Sequence, residues 1–172
     1  EEYMDSVEAG WLSGRLLMWM DENYAAVRGL DKVVKAQPNN LEAWKYLANV
    51  YEKQRDYAKA LESYQKISAL EPNNAAAFAG IGMIQARTSK FAEAIPNLEK
   101  SLQLDASQVT VYRSLGEAYE GLREFAKAGD AYDKYLASNP PDRAQIYRTL
   151  GNDRRDAEQF AAAAAAYAEF IK

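Results

Sequence analysis

The stretch RDYAKAL, residues 55–61, decides the fold because the chain repeats its pattern three more times. SKFAEAI follows at residues 89–95, REFAKAG at 123–129 and EQFAAAA at 158–164, so the copies are spaced 34, 34 and 35 residues apart. In each copy an aromatic residue is followed by alanine at the next position and again two positions later. A fixed period of this length predicts stacked structural repeats.

Each copy belongs to a longer unit with a second aromatic position thirteen residues earlier. Counting Trp44 as the fourth place of its unit, the same place holds Phe78, Tyr112 and Tyr147, and the eighth place is always small: Ala48, Gly82, Gly116 and Gly151. Apolar places recur at three, four and seven within each half unit, which is one face of a helix. Each unit is therefore predicted to be two short antiparallel helices, whose small residues let the backbones approach.

The motif W-x-x-L-A-x-x-Y followed by A-x-x-x-Y and P resembles the tetratricopeptide repeat. It is carried by Trp44, Leu47, Ala48, Tyr51, Ala60, Tyr64 and Pro72, and it returns in four units over residues 41–172. Departures are Gln85 and Arg154 where tyrosine is usual, Ser101 where an apolar residue is usual, and Pro96 inside a second helix. The resemblance implies an all-α fold, a right-handed superhelix of stacked antiparallel helix pairs.

The repeats divide the chain into a single array with five parts. Residues 1–40 are expected to be a degenerate first repeat, because Trp11 lies 33 residues before Trp44 and NYAAV, residues 23–27, echoes the aromatic-alanine pattern. The other repeats are predicted at residues 41–74, 75–108, 109–143 and 144–172. The last of them is expected to stop before a capping helix. A polar cap is what the open end of a repeat array needs.

Composition excludes several classes of function. The net charge of −4 argues against binding to a nucleic-acid backbone, and the absence of cysteine excludes disulfides and thiolate ligands. The absence of histidine removes the commonest general base and zinc ligand. No stretch approaches the ~20 apolar residues of a membrane helix. We therefore expect a soluble, non-catalytic protein without metal or cofactor, and the compartment stays open between cytoplasm and periplasm.

The resemblance implies that the first helix of each unit lines a concave groove, with exposed side chains at the second, fifth, ninth, twelfth and thirteenth places. The expected groove residues are Lys45, Asn49, Met83, Arg87, Arg113, Glu117, Arg148 and Asn152. A partner carboxylate would face the basic fifth places, and an apolar partner side chain would rest on a floor formed by Ala76, Ala79, Gly80, Met83 and Ala86. The alternative is that these charges form only a solvated helix face.

Some members of this family clamp the C-terminal carboxylate of a chaperone. Lys45 and Asn49 match the first pair of that clamp, but Gly80, Thr110 and Ser114 stand where its remaining residues are needed. The clamp is incomplete, so the sequence does not predict a chaperone partner.

The interpretation favoured by the sequence is a scaffold or adaptor module that binds a peptide or a helix of a partner protein. An alternative is an assembly module that self-associates through apolar terminal helices, for which the candidate residues are Trp11, Trp19, Tyr167 and Phe170. A third is a regulatory or enzyme-associated domain within a longer chain. No nucleic-acid partner and no direct membrane insertion are expected.

Overall fold

A computed structural model describes the backbone of residues 7–19 and 23–171, and the side chains of residues 7–16 and 26–171. Over these ranges the chain forms ten α-helices and no β-strand, which confirms the expected all-α class. The helices are α1 Val7–Trp19, α2 Asn23–Ala36, α3 Leu41–Lys53, α4 Tyr57–Leu70, α5 Ala75–Arg87, α6 Phe91–Leu104, α7 Val109–Gly121, α8 Phe125–Leu136, α9 Arg143–Asp156 and α10 Phe160–Phe170.

Polar side chains begin several of these helices. Asn40 Oδ1 accepts from the Ala43 amide at 3.1 Å, and Asn74 Oδ1 accepts from the Ala77 amide at 2.9 Å. Both asparagines follow a Pro-Asn pair, at residues 38–39 and 72–73. Such a bond satisfies one of the free amides that every helix start exposes.

The chain divides into two compact units, residues 1–80 and 81–172, with the boundary inside α5. In unit 1, α1 and α2 approach closely at two glycines, since a Cβ added at Gly29 would lie 2.5 Å from the Gly10 carbonyl oxygen. Farther along this unit the Tyr64 ring of α4 covers Gly80 of α5, where a Cβ would also come within 2.5 Å. Only glycine fits at these contacts without a shift of the neighbouring helix.

The register of α1 differs by one residue from the sequence-based expectation. Gly14 lies against the Leu30 side chain and the Ala26 carbonyl, as Gly82 lies against Leu98 and the Ala94 carbonyl two repeats later. The fourth place of the first repeat is therefore Gly10, and Trp11 takes the fifth place. Trp11 therefore does not correspond to Trp44, and its ring packs edge-on against the Tyr46 ring at a centroid distance of 5.6 Å.

In unit 2, aromatic rings of the second helices lie on the small eighth places of the first helices. A Cβ added at Gly116 would come within 2.6 Å of the Tyr132 ring, and one at Gly151 within 2.5 Å of the Tyr167 ring. Around the first of these contacts lies a buried cluster: Ala128, Tyr132, Tyr135, Ile146, Leu150 and Ala166. This cluster joins α8, α9 and α10, so consecutive helix pairs share one core.

The departure from tyrosine at Arg154 has a physical explanation. Within unit 2, the Tyr119 hydroxyl at the same place of the preceding repeat donates to Glu99 of α6 at 2.8 Å. Arg154 likewise donates to Asp133 of α8 and lies 3.5 Å from Asp130. The arginine thus keeps a bond to an acidic residue of the preceding second helix, with a charge-assisted donor in place of a hydroxyl.

Asp153 is a polar exception inside the core of unit 2. It is 2% exposed, and its Oδ2 has no hydrogen-bond partner among the described residues. The other repeats place Val50, Ile84 and Ala118 at the equivalent tenth place, all buried. Burial raises the pKa of Asp153 from 3.8 to about 7, and the neighbouring carboxylate of Glu120 adds to the rise. The folded chain therefore holds a proton here that the unfolded chain releases at lower pH.

We predict a stability that depends on pH through Asp153. Because its folded pKa exceeds the unfolded value, its contribution is complete below about pH 4 and is lost as the pH rises through 7. Asp153→Ala, which matches Ala118, should raise the free energy of unfolding at pH 8 by about 1–3 kcal/mol, since an unsatisfied buried carboxylate is removed. Urea unfolding followed by circular dichroism at pH 5 and pH 8 measures this.

The control for that experiment is Glu62→Gln, which changes an exposed carboxylate on α4. It should leave the difference in stability between pH 5 and pH 8 as in the parent. An Asp153→Ala variant with an unchanged difference would contradict the assignment.

The turns between the two helices of a repeat place non-glycine residues in the left-handed region. Arg55, Ser89, Arg123 and Glu158 have φ values of 58°, 60°, 61° and 60°. This conformation costs a residue with a Cβ about 1–2 kcal/mol. It is kept because the next amide closes the turn, as Lys90 does by donating to the Gln85 carbonyl at 2.8 Å.

Ser89→Gly should therefore stabilise the protein by about 0.5–1 kcal/mol, because glycine removes the strain but loses more backbone entropy. The matched control is Lys90→Gly, since the next residue has φ −89° and gains nothing from glycine. Chemical denaturation should show opposite signs for the two variants. If both variants are destabilised equally, the left-handed conformation of Ser89 does not strain the turn.

Candidate functional site

The expected groove residues lie in pairs, one helical turn apart, on four first helices. Lys45 and Asn49 share a face of α3, and Met83 and Arg87 share a face of α5. On α7 and α9 the pairs are Arg113 with Glu117 and Arg148 with Asn152. Side chains four residues apart on a helix are neighbours, so each pair offers one small patch to a ligand.

In unit 1, the charge of Lys45 is compensated by its own unit. Its Nζ lies 3.1 Å from Glu42 Oε1 and 3.8 Å from Glu71 Oε2. Glu71 also accepts from the Asn74 side chain at 2.6 Å, so the acidic partner is held in place. Asn49 is exposed on the next turn. A partner carboxylate would have to compete with two carboxylates for this lysine.

The apolar floor expected on α5 is mostly covered. Ala79 and Ala86 are 6% and 8% exposed, and the Tyr64 ring lies over Gly80. The expectation is wrong for Ala79, Gly80 and Ala86, which are buried in helix packing, whereas Ala76 is exposed. Met83 is half-buried, and Arg87 is exposed in the last turn of the helix.

In unit 2, Arg113 is bound by carboxylates from two segments. Its Nε lies 3.0 Å from Glu117 Oε1 and its Nη1 lies 2.8 Å from Asp142 Oδ2. Burial acts to lower the pKa of Arg113, but these two carboxylates raise it overall. Asp142 also accepts from the Tyr135 hydroxyl at 2.8 Å. Arg113 therefore ties α7 to the start of α9.

Asp142 precedes α9 without capping it. It occupies the residue before α9, but its side chain makes no capping hydrogen bond. Its two carboxylate oxygens instead go to Arg113 and Tyr135. The local sequence does not predict the bond between Asp142 and Arg113, because the two residues are 29 positions apart.

Arg148 is an exposed cation in the middle of α9. Among the described residues it has no ion pair, in contrast to Lys45 and Arg113. One turn along, Asn152 Oδ1 accepts from the Tyr167 hydroxyl at 2.8 Å, which fixes the amide. A fixed amide beside a free guanidinium can bind a carboxylate and a neighbouring peptide group at the same time.

Two of the four twelfth places, Glu52 and Glu120, accept structural hydrogen bonds. The Tyr132 hydroxyl donates to Glu120 at 2.8 Å in unit 2, and the Tyr64 hydroxyl donates to Glu52 at 2.6 Å in unit 1. Burial, followed by the nearby carboxylate, raises the pKa of Tyr132 above its ordinary value. These glutamates are acceptors in the fold, so they are weak candidates for ligand binding.

The four candidates for self-association differ in their surroundings. Trp11 contacts Tyr46, and the Arg15 guanidinium lies 5.5 Å from the centre of its ring. Tyr167 is half-buried against Gly151, whereas Phe170 is exposed. The side chain of Trp19 lies outside the described residues.

The described residues offer no obvious reactive centre. Within them no group of three or more potential metal ligands lies close enough together to hold an ion, and no helix is long and apolar enough to cross a membrane. Two cavities of about 300 and 200 Å³ contain the Tyr51 and Tyr119 hydroxyls. Both hydroxyls are already bonded to carboxylates, and burial raises the pKa of Tyr119 to about 12. Neither tyrosine is therefore a ready nucleophile near neutral pH.

Comparison with known structures identifies the fold. The chain is similar to the crystal structure of MamA, with 24% identity, a TM-score of 0.87, and coverage of 96% of this chain and 90% of that chain. It is similar to MamA from Desulfovibrio magneticus RS-1, with 19% identity, a TM-score of 0.83, and coverage of 96% and 93%. It is also similar to YrrB, a TPR protein with an unusual peptide-binding site, with 17% identity, a TM-score of 0.82, and coverage of 99% and 87%.

Family models agree with these structures. One model described as tetratricopeptide repeat matches residues 41–74, and a second with the same description matches residues 79–143. No curated protein sequence matches the chain. Together the two matched segments cover more than half of the sequence and include the motif from Trp44 to Pro72. The chain belongs to the tetratricopeptide repeat family.

Proposed function

We propose that this chain is a non-catalytic scaffold that binds an acidic peptide or helix of a protein partner on the α7 and α9 surface of unit 2. Membership of the family supports a protein-interaction role. The observation that carries the finer proposal is the exposed guanidinium of Arg148, which has no ion pair among the described residues and lies one turn from the fixed amide of Asn152.

The three basic residues at the fifth places differ in how readily they can bind a partner carboxylate, because two of them already form ion pairs. Arg113 would have to exchange Glu117 or Asp142 for a partner carboxylate, and the carboxylate it leaves would lose its own partner. Lys45 faces the same competition in unit 1. Arg148 gains an ion pair without breaking one, so it is the main anchor in this proposal, and Arg113 orders the surface beside it.

The remaining groove candidates have smaller parts in the proposal. Met83 offers a half-buried thioether that adapts to apolar side chains, and Arg87 adds an exposed positive charge to unit 2. Glu117 contributes a polar rim, and Asn49, which lies in unit 1, has no part in this surface. YrrB, a similar structure, is a TPR protein with an unusual peptide-binding site, which supports a peptide as the kind of ligand.

The binding experiment uses a random peptide library displayed on phage and selected on the 172-residue protein. We expect enriched peptides to contain Asp or Glu, and their affinity, measured by fluorescence anisotropy, to fall about tenfold in Arg148→Glu. That loss is roughly the 1.4 kcal/mol of one charge-assisted contact. Increasing salt should weaken binding to the parent more than to this variant.

The matched control is Lys100→Glu, which makes the same charge change at an exposed residue of the second helix α6. It should bind the selected peptides like the parent. If Lys100→Glu and Arg148→Glu lose affinity equally, net charge rather than the α9 patch governs binding, and the proposal fails.

Self-assembly is a second candidate function, favoured by a different observation. The second helix α10 has five exposed alanines where surface helices normally carry charges, and it also exposes Phe160 and Phe170. Large apolar side chains grouped on one face are typical of interaction surfaces.

A further inference from the structure

A buried stripe of α9 ends in a carboxyl group. Ile146, Leu150 and Asp153 are four and three residues apart, so they share one helix face, and the first two pack in the buried cluster with Tyr132 of α8. Asp153 continues that face by one turn. Burial is the main cause of the raised pKa of Tyr132, and the charges of Glu120 and Asp153 add to it, so both carboxyls lie on the hydroxyl side of the ring.

The Tyr132 hydroxyl serves only one of these two carboxyls. It donates to Glu120 Oε2 at 2.8 Å, whereas Asp153 Oδ2 has no hydrogen-bond partner among the described residues. Within the same part of the chain, neither carboxyl has an ion pair. We call Glu120 and Asp153 the acidic pair.

Other positive charges on α7 and α9 are bound to other carboxylates. These ion pairs join Arg113 to Glu117, Arg154 to Asp133, and Arg155 to Asp156. The fold therefore brings the acidic pair together with one neutral donor and with no cation from the described residues. A buried polar group without a partner lowers stability, and natural proteins keep such exceptions to packing mainly at functional sites.

The acidic pair lies on the two helices that carry the proposed peptide site. Glu120 is half-buried at the twelfth place of α7 and is the more accessible member of the pair. Along α9, Asp153 follows Arg148 by five residues, which is about 7.5 Å along the helix axis. An extended peptide advances about 3.3 Å per residue, so a peptide residue about two or three positions from the one at Arg148 would reach the pair.

We propose that the acidic pair binds a lysine or arginine side chain of the same peptide that places its carboxylate on Arg148. The inference rests on the proposed function and adds the second charge of its ligand. Glu120 alone is a weak contact, because its Oε2 already accepts a hydrogen bond. The second carboxyl at Asp153 makes the pair attractive to a cation, which supplies N–H donors and offsets the repulsion between the two carboxylates.

Binding of the basic side chain should depend on pH through Asp153. The groups that face its carboxyl are Glu120 and Glu117 of α7, Tyr132 of α8 and Asp156 of α9. Only ionised Asp153 attracts a cation, and burial raises its pKa to about 7. The ionised fraction therefore increases between pH 6 and pH 8, and affinity for a basic side chain should increase with it, by about tenfold at most.

The test compares peptides selected on the 172-residue protein with copies in which glutamine replaces each lysine or arginine. At pH 8, fluorescence anisotropy should show about tenfold weaker binding of the copies to the parent, but less than about a twofold difference in Glu120→Gln and Asp153→Ala. Glu120→Gln keeps an acceptor for the Tyr132 hydroxyl, and Asp153→Ala removes an unsatisfied group, so both variants should fold. The increase in affinity from pH 6 to pH 8 should be absent in Asp153→Ala.

Glu93→Gln is the matched control for Glu120→Gln, since it changes an exposed glutamate of α6. In this variant the glutamine copies should bind about tenfold more weakly than the originals, as in the parent. If the replacement costs the same affinity in the parent and in both variants of the acidic pair, the cation site is overturned. Selected peptides without lysine or arginine near the acidic residue overturn it too. In either case a loss of affinity in Arg148→Glu would still support the proposed function.

A second measurement does not depend on Arg148 or on selected peptides. Carbon NMR follows the titration of the Asp153 carboxyl in the parent with saturating Nα-acetyl-lysine N-methylamide. The pKa of Asp153 should fall from about 7, because a bound cation favours the ionised carboxyl. The corresponding glutamine compound should leave it unchanged. If the lysine compound also leaves the pKa unchanged, the cation site is overturned whether or not peptides bind at Arg148.

Discussion

The structure depends on the close approach of paired helices at one small residue. Gly82 receives Leu98, Gly116 receives Tyr132 and Gly151 receives Tyr167, each at a distance that a Cβ would not permit. These contacts set the spacing of the two helices in a repeat. Tyr132 also belongs to the buried cluster that contains Ile146 and Leu150 of α9, so this helix pair shares its core with the next one.

The polar groups follow from this packing. A ring that lies on a glycine must bring its hydroxyl to an acceptor, and Tyr132 and Tyr64 do so at Glu120 and Glu52. Asp153 lies at the tenth place, which holds buried apolar side chains in the other repeats. Its Oδ2 therefore has no hydrogen-bond partner among the described residues. Apart from Glu120 and Asp153, ligand binding is therefore expected at side chains that lie outside the core and take no part in these hydrogen bonds.

Ion pairs between segments decide which of those side chains stay available. The sequence predicts three equivalent basic fifth places, yet Lys45 and Arg113 each meet carboxylates while Arg148 meets none among the described residues. Glu71 and Asp142 lie 26 and 29 residues from the bases that they bind. The ion pairs of Lys45 with Glu42 and of Arg113 with Glu117 follow helical spacing. The pairs with Glu71 and Asp142 join distant segments and could not be read from local pattern. Gly80 of the expected floor is lost for a related reason, since the Tyr64 ring that covers it comes from the preceding helix.

The sequence by itself determined the helix pairs, their period and the family, because those depend on apolar spacing and on small residues within single helices. It also determined the pairs of candidate residues on each first helix, since residues four apart share a face. Only the tertiary structure decided the register of α1, the burial of Ala79, Gly80 and Ala86 on α5, and the ion pairs that join Lys45 and Arg113 to distant segments. Each of these depends on which side chain of a neighbouring segment makes the contact, and such contacts cannot be read from the spacing of residues along the chain.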